Sequence, residues 1–196
     1  MRFFPIFAIS FLLATAAEAH TGLGTASGGG VYGFLHPFSG LDHLLAMAGV
    51  GLLGFFLGGR AIWLVPAAFL VMMLAGAGLA VAGFGLPFVE TGIALSVVVI
   101  GGALAFGRSL PLALAVPLAG GFAVFHGFAH GAEMPATATG FSYGLGFLAA
   151  TALLHAAGLA LGFGLDRAVT ANSKRLARIG GALLSLSGLA ILGGAF

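Results

Sequence analysis

Cysteine is absent from the 196-residue sequence, which removes disulfides, thiolate metal sites and cysteine nucleophiles together. Charge is scarce as well: Asp, Glu, Lys and Arg make up 6% of the residues against 60% hydrophobic ones, and the mean hydropathy is +1.17. So few polar side chains cannot cover a water-soluble globule, whereas lipid asks for no such cover. Basic residues are too sparse for a nucleic-acid surface. No glycine-rich run leads into a Lys-Ser or Lys-Thr pair and no His-Glu-x-x-His pattern occurs, and Gly140-Phe-Ser142-Tyr-Gly144 fits Gly-x-Ser-x-Gly by letter only, opening an apolar run without the strand that a hydrolase nucleophile turn requires.

What remains is apolar sequence in runs of about 20 residues without strand-like alternation. Each segment that crosses a bilayer must satisfy its own backbone hydrogen bonds, and runs of this length do so as helices rather than as a barrel. The expected fold is all-α, a polytopic membrane bundle. Residues 1–19 read as a cleavable signal peptide, with Arg2 as the positive start, Phe3 to Ala14 as the apolar stretch and Ala17-Glu18-Ala19 as the cleavage site. Residues 20–196 then form one transport domain of six spans, roughly Val31–Gly58, Ala61–Phe84, Pro87–Phe106, Leu110–Gly131, Gly140–Leu165 and Leu176–Leu192. Short Gly/Pro connections leave no linker between domains.

Positive charge orients the bundle. Arg60, Arg108, Arg167, Lys174, Arg175 and Arg178 follow the odd-numbered spans, which places those connections in the cytoplasm and both ends of the mature chain in the periplasm of a bacterial inner membrane. A cleaved signal peptide requires the same outside start.

The few ionisable groups inside the spans then fall together. His36, Asp42 and His43 open the first span from outside, Glu90 opens the third, and His126, His130 and Glu133 close the fourth on the same side. Ionisable groups in a membrane are costly and mark a path or site by default. At about 100° per residue, His126, His130 and Glu133 share one helical face. His36 and His43, seven apart, superpose in the same way if one helix carries both, a weaker pairing because Pro37 suits the first helical position, which sets His36 just outside the helix proper. Counted from Pro37, Asp42 and His43 lie about 8 to 9 Å along that helix. His155 lies in mid-span, where a packing group competes with a pathway role, and His20 begins the mature chain; both are secondary candidates. Asp166 beside Arg167 reads as an exposed interfacial pair.

Imidazole and carboxylate without thiolate suit a borderline divalent cation such as zinc, copper, iron or nickel. Asp42 serves either as a ligand or as the acceptor for the far N–H of a liganding histidine. His126 is either a ligand or a partner orienting His130. Glu90 either joins the set or complements a helix start. No permanent cofactor is expected, and the partners are the ion and the lipid bilayer.

Two stretches, Gly33-Phe-Leu-His36-Pro-Phe-Ser-Gly40-Leu-Asp42-His43-Leu-Leu-Ala-Met47 and Phe125-His126-Gly-Phe-Ala-His130-Gly-Ala-Glu133-Met-Pro135, resemble the signature motifs of the HupE/UreJ family of bacterial nickel permeases. The resemblance runs over essentially the whole chain. It implies a non-enzymatic permease for nickel, with cobalt as a variant substrate, supplying hydrogenase or urease assembly. By match it makes His36, Asp42, His43, Glu90, His130 and Glu133 the functional set, with His126 alongside. The competing reading is an intramembrane zinc hydrolase built on the same His/Asp cluster. Gly54-x-x-x-Gly58, Gly127-x-x-x-Gly131, Gly140-x-x-x-Gly144 and Gly158-x-x-x-Gly162 read as close helix-packing motifs.

Overall fold

A computed structural model describes residues 28–106, 110–136, 138–169 and 172–194. The signal peptide, His20, Arg108 and most of the glycine-rich start lie outside the described residues. Helices α1 (Gly28–Leu35), α2 (Leu41–Leu57), α3 (Ala61–Val81), α4 (Val89–Phe106), α5 (Leu112–Ala132), α6 (Gly140–Ala168) and α7 (Ser173–Leu192) follow one another, with a 3₁₀ turn at His36–Phe38 between α1 and α2. The five helices α3 to α7 are each long and apolar enough to cross a bilayer, so the chain is a multi-pass membrane protein.

The expected first span is not one helix. Residues Gly29–Phe38 and Leu41–Leu57 qualify only as a pair, bent by 83° between them. Pro37 has no amide proton and its ring obstructs the carbonyl one turn back, so α1 cannot run through it. Ser39 folds its Oγ and its amide onto the His36 carbonyl, at 2.6 and 3.0 Å. Gly40 is extended (φ −103°, ψ 124°) and α2 starts afresh at Leu41. Asp42 and His43 therefore stand in the first turn of α2 rather than two turns inside a span, and His36 belongs to a different element from His43. Gly40 also leaves room for that pair: a β-carbon there would fall 2.7 Å from Asp42 Oδ1 and 3.1 Å from His43 Nδ1, so a side chain would push both groups aside.

The helices pack chiefly as α3 on α5, α4 on α7, and α6 on both α2 and α1. Small residues set those contacts, as van der Waals packing between helices in lipid requires. Gly127 and Gly131 both abut the α3 backbone, at Met73 and Ala77, and Gly158 and Gly162 both abut α2, at Ala48 and Phe55. The other two expected glycine motifs do not act this way. Gly58 ends α2 with φ +69° and nothing near its β-position, and Gly144 faces only Phe147 of its own helix.

Alternation of the helices gathers the starts of α2, α4 and α6 and the ends of α3, α5 and α7 at one end of the bundle, called the mouth below. Arg60, Arg167, Lys174, Arg175 and Arg178 lie at the opposite end. There the Arg178 Nε donates to the Ala105 carbonyl at 3.0 Å, tying α7 to α4. Asp166 accepts from the Ser173 hydroxyl at 3.2 Å, so its partner is across the α6–α7 turn rather than the expected Arg167. The 29 residues of α6 span about 44 Å, longer than a hydrocarbon core of about 30 Å.

Candidate metal centre

Six of the seven principal residues expected from the sequence border one cavity at the mouth. His36, Asp42, His43, Glu90, His130 and Glu133, together with Ser39, Gly40 and Ala129, line a space of about 210 Å³. The broken first span positions the first three. His36 comes from the 3₁₀ turn, while Asp42 and His43 come from the restart of the helix. Glu90 lies in the first turn of α4. His130 occupies the last turn of α5, which Glu133 caps. Asp42 and Glu90 at two helix N-termini offset the positive ends of those dipoles, and the C-terminal end of α5 favours a cation near His130.

The rings converge closely. His130 meets His43 with centroids 4.6 Å apart and His36 at 5.1 Å, and His43 meets His126 at 4.8 Å. Phe147 stacks on His130 at 5.4 Å and fixes its plane. His126 lies one turn deeper than His130, is fully buried and does not border the cavity. His155 stands apart from the cluster, edge-on to Phe69 at 5.2 Å, and the same Phe69 ring lies 5.4 Å from His126.

Hydrogen bonds assign a role to one nitrogen of each paired ring. His43 donates from Nδ1 to Asp42 Oδ1 at 2.9 Å, and its backbone N–H reaches the same oxygen at 2.7 Å. With Nδ1 protonated, the buried Nε2 of His43 keeps a bare lone pair. His36 donates from Nε2 to Glu133 Oε2 at 2.7 Å. That hydrogen bond holds the Glu133 carboxyl below the usual range, with partial burial pulling the other way. The Ser96 hydroxyl lies 2.6 Å from the Ile93 carbonyl and 2.8 Å from His126 Nε2. Its single proton serves the carbonyl, so His126 Nε2–H donates to Ser96 and His126 Nδ1 is left bare.

His130 has no hydrogen-bond partner at either ring nitrogen. A buried polar atom left without a partner costs about 1–3 kcal/mol, and such atoms point to an ion or water that completes them. The donor set fits a borderline divalent cation: bare imidazole nitrogens, two of them oriented by carboxylates through the opposite N–H, with Glu90 unengaged nearby. Among the described residues, however, no three of these side chains already stand as a ready ligand group. Asp42 and Glu133 are spent on histidines. Taking an ion means exchanging at least some of those pairings for coordination.

Three contributors escaped the sequence reading. Ser96 fixes His126, and its signal was only a lone hydroxyl in an apolar helix. Tyr143 is buried with an unpartnered hydroxyl, and its ring lies 6.2 Å from His36. Phe147 backs His130. Tyr143, Phe147, Thr151 and His155 recur every fourth residue and are all buried, so a period-four stripe on α6 was the available signal. The suggestion that His126 orients His130 is not met, because the hydrogen bond of His126 goes to Ser96.

Comparison with known proteins agrees with this layout in extent. Residues 8–191 match the family described as HupE / UreJ protein. Protein HupE of Rhizobium leguminosarum bv. viciae is 41% identical over 197 residues, covering 99% of this chain and 100% of its own length. No solved structure matches the chain. With the family match over residues 8–191 and 41% identity to a relative along essentially its whole length, this chain belongs to the HupE/UreJ family.

Proposed function

We propose that the protein is a permease for nickel, with cobalt as a second substrate, that takes the ion into the cell across the bacterial inner membrane. The observation that carries this reading is His130, whose two buried, unpartnered nitrogens face the rings of His36 and His43 at the mouth of a membrane bundle. An imidazole pair or triad with carboxylates suits nickel better than a hard cation. The basic residues gather at the far end, which by the positive-inside rule turns the mouth and both ends of the mature chain to the periplasm. The family resemblance supplies the destination, hydrogenase or urease assembly.

In this reading the arriving ion sheds part of its water onto His130, His43 and His36. Glu133 and Glu90 balance its charge. Asp42 acts mainly through His43, holding the tautomer that leaves Nε2 bare. Binding must stay exchangeable, because an ion held too tightly never leaves. The reading is tested by uptake of radioactive nickel into proteoliposomes, with and without a pH gradient and with cobalt or zinc competing. Accumulation over protein-free vesicles, reduced by cobalt, supports it; vesicles no leakier to nickel than protein-free ones refute it.

Two further outcomes follow. Asp42→Asn keeps an acceptor for the backbone but weakens the grip on His43 Nδ1–H. Nickel affinity then falls about 10- to 100-fold with the fold intact, measured by equilibrium binding on the solubilised protein. Lowering the external pH from 8 to 5 weakens binding, because protons compete for the same imidazole lone pairs. Glu133 does not drive that change. Its folded-state pKa is depressed, so its pairing with His36 is present above the ordinary carboxylate range and is lost only as pH falls below it. Binding that stays flat from pH 8 to 5 would mean that protons and the ion do not compete for the ligand atoms in this range.

A further inference from the structure

The polar groups do not end at the mouth. His155 on α6 is 2% exposed, yet neither of its ring nitrogens has a hydrogen-bond partner. A histidine kept only for packing would have its N–H satisfied. Its depth follows from α2: Gly51 packs directly on the His155 carbonyl. Gly51 is ten residues beyond Leu41, or about 15 Å along the helix, close to half of a hydrocarbon core of about 30 Å.

One turn nearer the mouth on the same face, Thr151 is fully buried. Its hydroxyl proton is spent on the Phe147 carbonyl at 2.9 Å, and Met73 Sδ lies 3.8 Å from its oxygen. The oxygen lone pairs stay available. Met73 and Phe69 are themselves four apart on α3, and Phe69 touches His155. One turn of α3 thus faces one turn of α6. Together they bring a hydroxyl oxygen and a thioether to one turn of the bundle and a bare imidazole to the next turn inward. His126, with its bare Nδ1, stands between this level and the outer cluster.

We propose that His155, Thr151 and Met73 form a second, inner station for the divalent cation at mid-membrane, reached from the outer cluster by way of His126. Nitrogen, oxygen and thioether donors suit the same borderline ions as the mouth. All three donors are neutral, and the described parts of α2, α3, α5 and α6 place no Asp, Glu, Lys or Arg at this level. Without charge compensation the ion is held weakly, which fits a point of passage and not of storage. The inner station rests on the transport reading above and adds a division of labour: the mouth sets affinity, and the inner level sets rate.

The test separates those two quantities. His155→Ala is measured both for equilibrium nickel binding on the solubilised full chain and for radioactive nickel uptake in proteoliposomes. Binding is expected to stay within about twofold of the parent while uptake falls about tenfold or more, the split expected when a group acts only after capture. A merely structural role would lower binding and uptake together, and that result overturns the proposal, as does uptake within about twofold of the parent. If His155→Ala fails to fold, the isosteric Thr151→Val is the second variant. It is expected to slow uptake severalfold with binding unchanged, and parental uptake from it overturns the proposal. Absence of uptake by the parent protein removes both the transport reading and this one, whereas equal uptake by parent and variant removes only the inner station.

Discussion

His130→Leu eliminates nickel uptake and leaves a protein at least as heat-stable as its parent. Losing an outer hydrogen-bond partner of a metal ligand already costs about 10- to 100-fold in affinity, so losing the imidazole that meets both His36 and His43 should cost more than about 100-fold. Stability moves the other way for a physical reason. His130 is 1% exposed with both nitrogens unpartnered, and removing two unsatisfied buried polar atoms relieves about 1–3 kcal/mol each at most. Leucine fills comparable space against Phe147, avoiding the cavity that alanine would leave. Thermal unfolding in detergent and uptake in vesicles together read this outcome. A variant that loses both stability and transport would mean that His130 is a structural residue, and one that keeps transport would mean that it is not a ligand.

The second large effect comes from a single methyl group at Gly127. A β-carbon there would overlap the Met73 carbonyl oxygen and lie 2.6 and 2.8 Å from the carbon and Cα of the same residue. Backbone cannot rotate aside as a flexible side chain can, so α3 and α5 must separate along the most extensive helix contact in the bundle. Overpacking a tight interior typically costs about 1–3 kcal/mol and occasionally more; three backbone atoms in the way put Gly127→Ala at the upper end or beyond. Gly127 also lies between His126 and His130, so the shift displaces both rings and uptake is lost with stability. Gly121→Ala on the same helix is the control. Nothing lies within 4 Å of its β-position, and alanine favours helix over glycine by about 1 kcal/mol. Equal melting temperatures for Gly127→Ala and the parent would contradict the close approach of α3 and α5.

The long spans were legible because lipid imposes a simple rule, and α3 to α7 fall within a few residues of the apolar runs. So was the gathering of ionisable groups at one end, which needed only helix alternation. The break at Ser39-Gly40 was not legible. Its residues sit in an apolar run that reads as one span, and Pro37 fits the first turn of a helix as well as it fits the end of one. The consequence is local but central: His36 and His43 meet His130 from two different elements. The pairing of His36 with Glu133, 97 residues apart, and of His126 with Ser96 depends on tertiary contacts that spacing within one helix does not encode. Half of the glycine motifs were misread because a Gly-x-x-x-Gly pattern says nothing about which face meets a neighbour.

Nickel K-edge X-ray absorption on the purified, nickel-loaded protein tests the central claim most directly. The account predicts a nitrogen/oxygen shell carrying the outer-sphere scattering of about two or three imidazoles, reduced when His130 is replaced by leucine. A shell of oxygen alone, or a spectrum unchanged in His130→Leu, would contradict it.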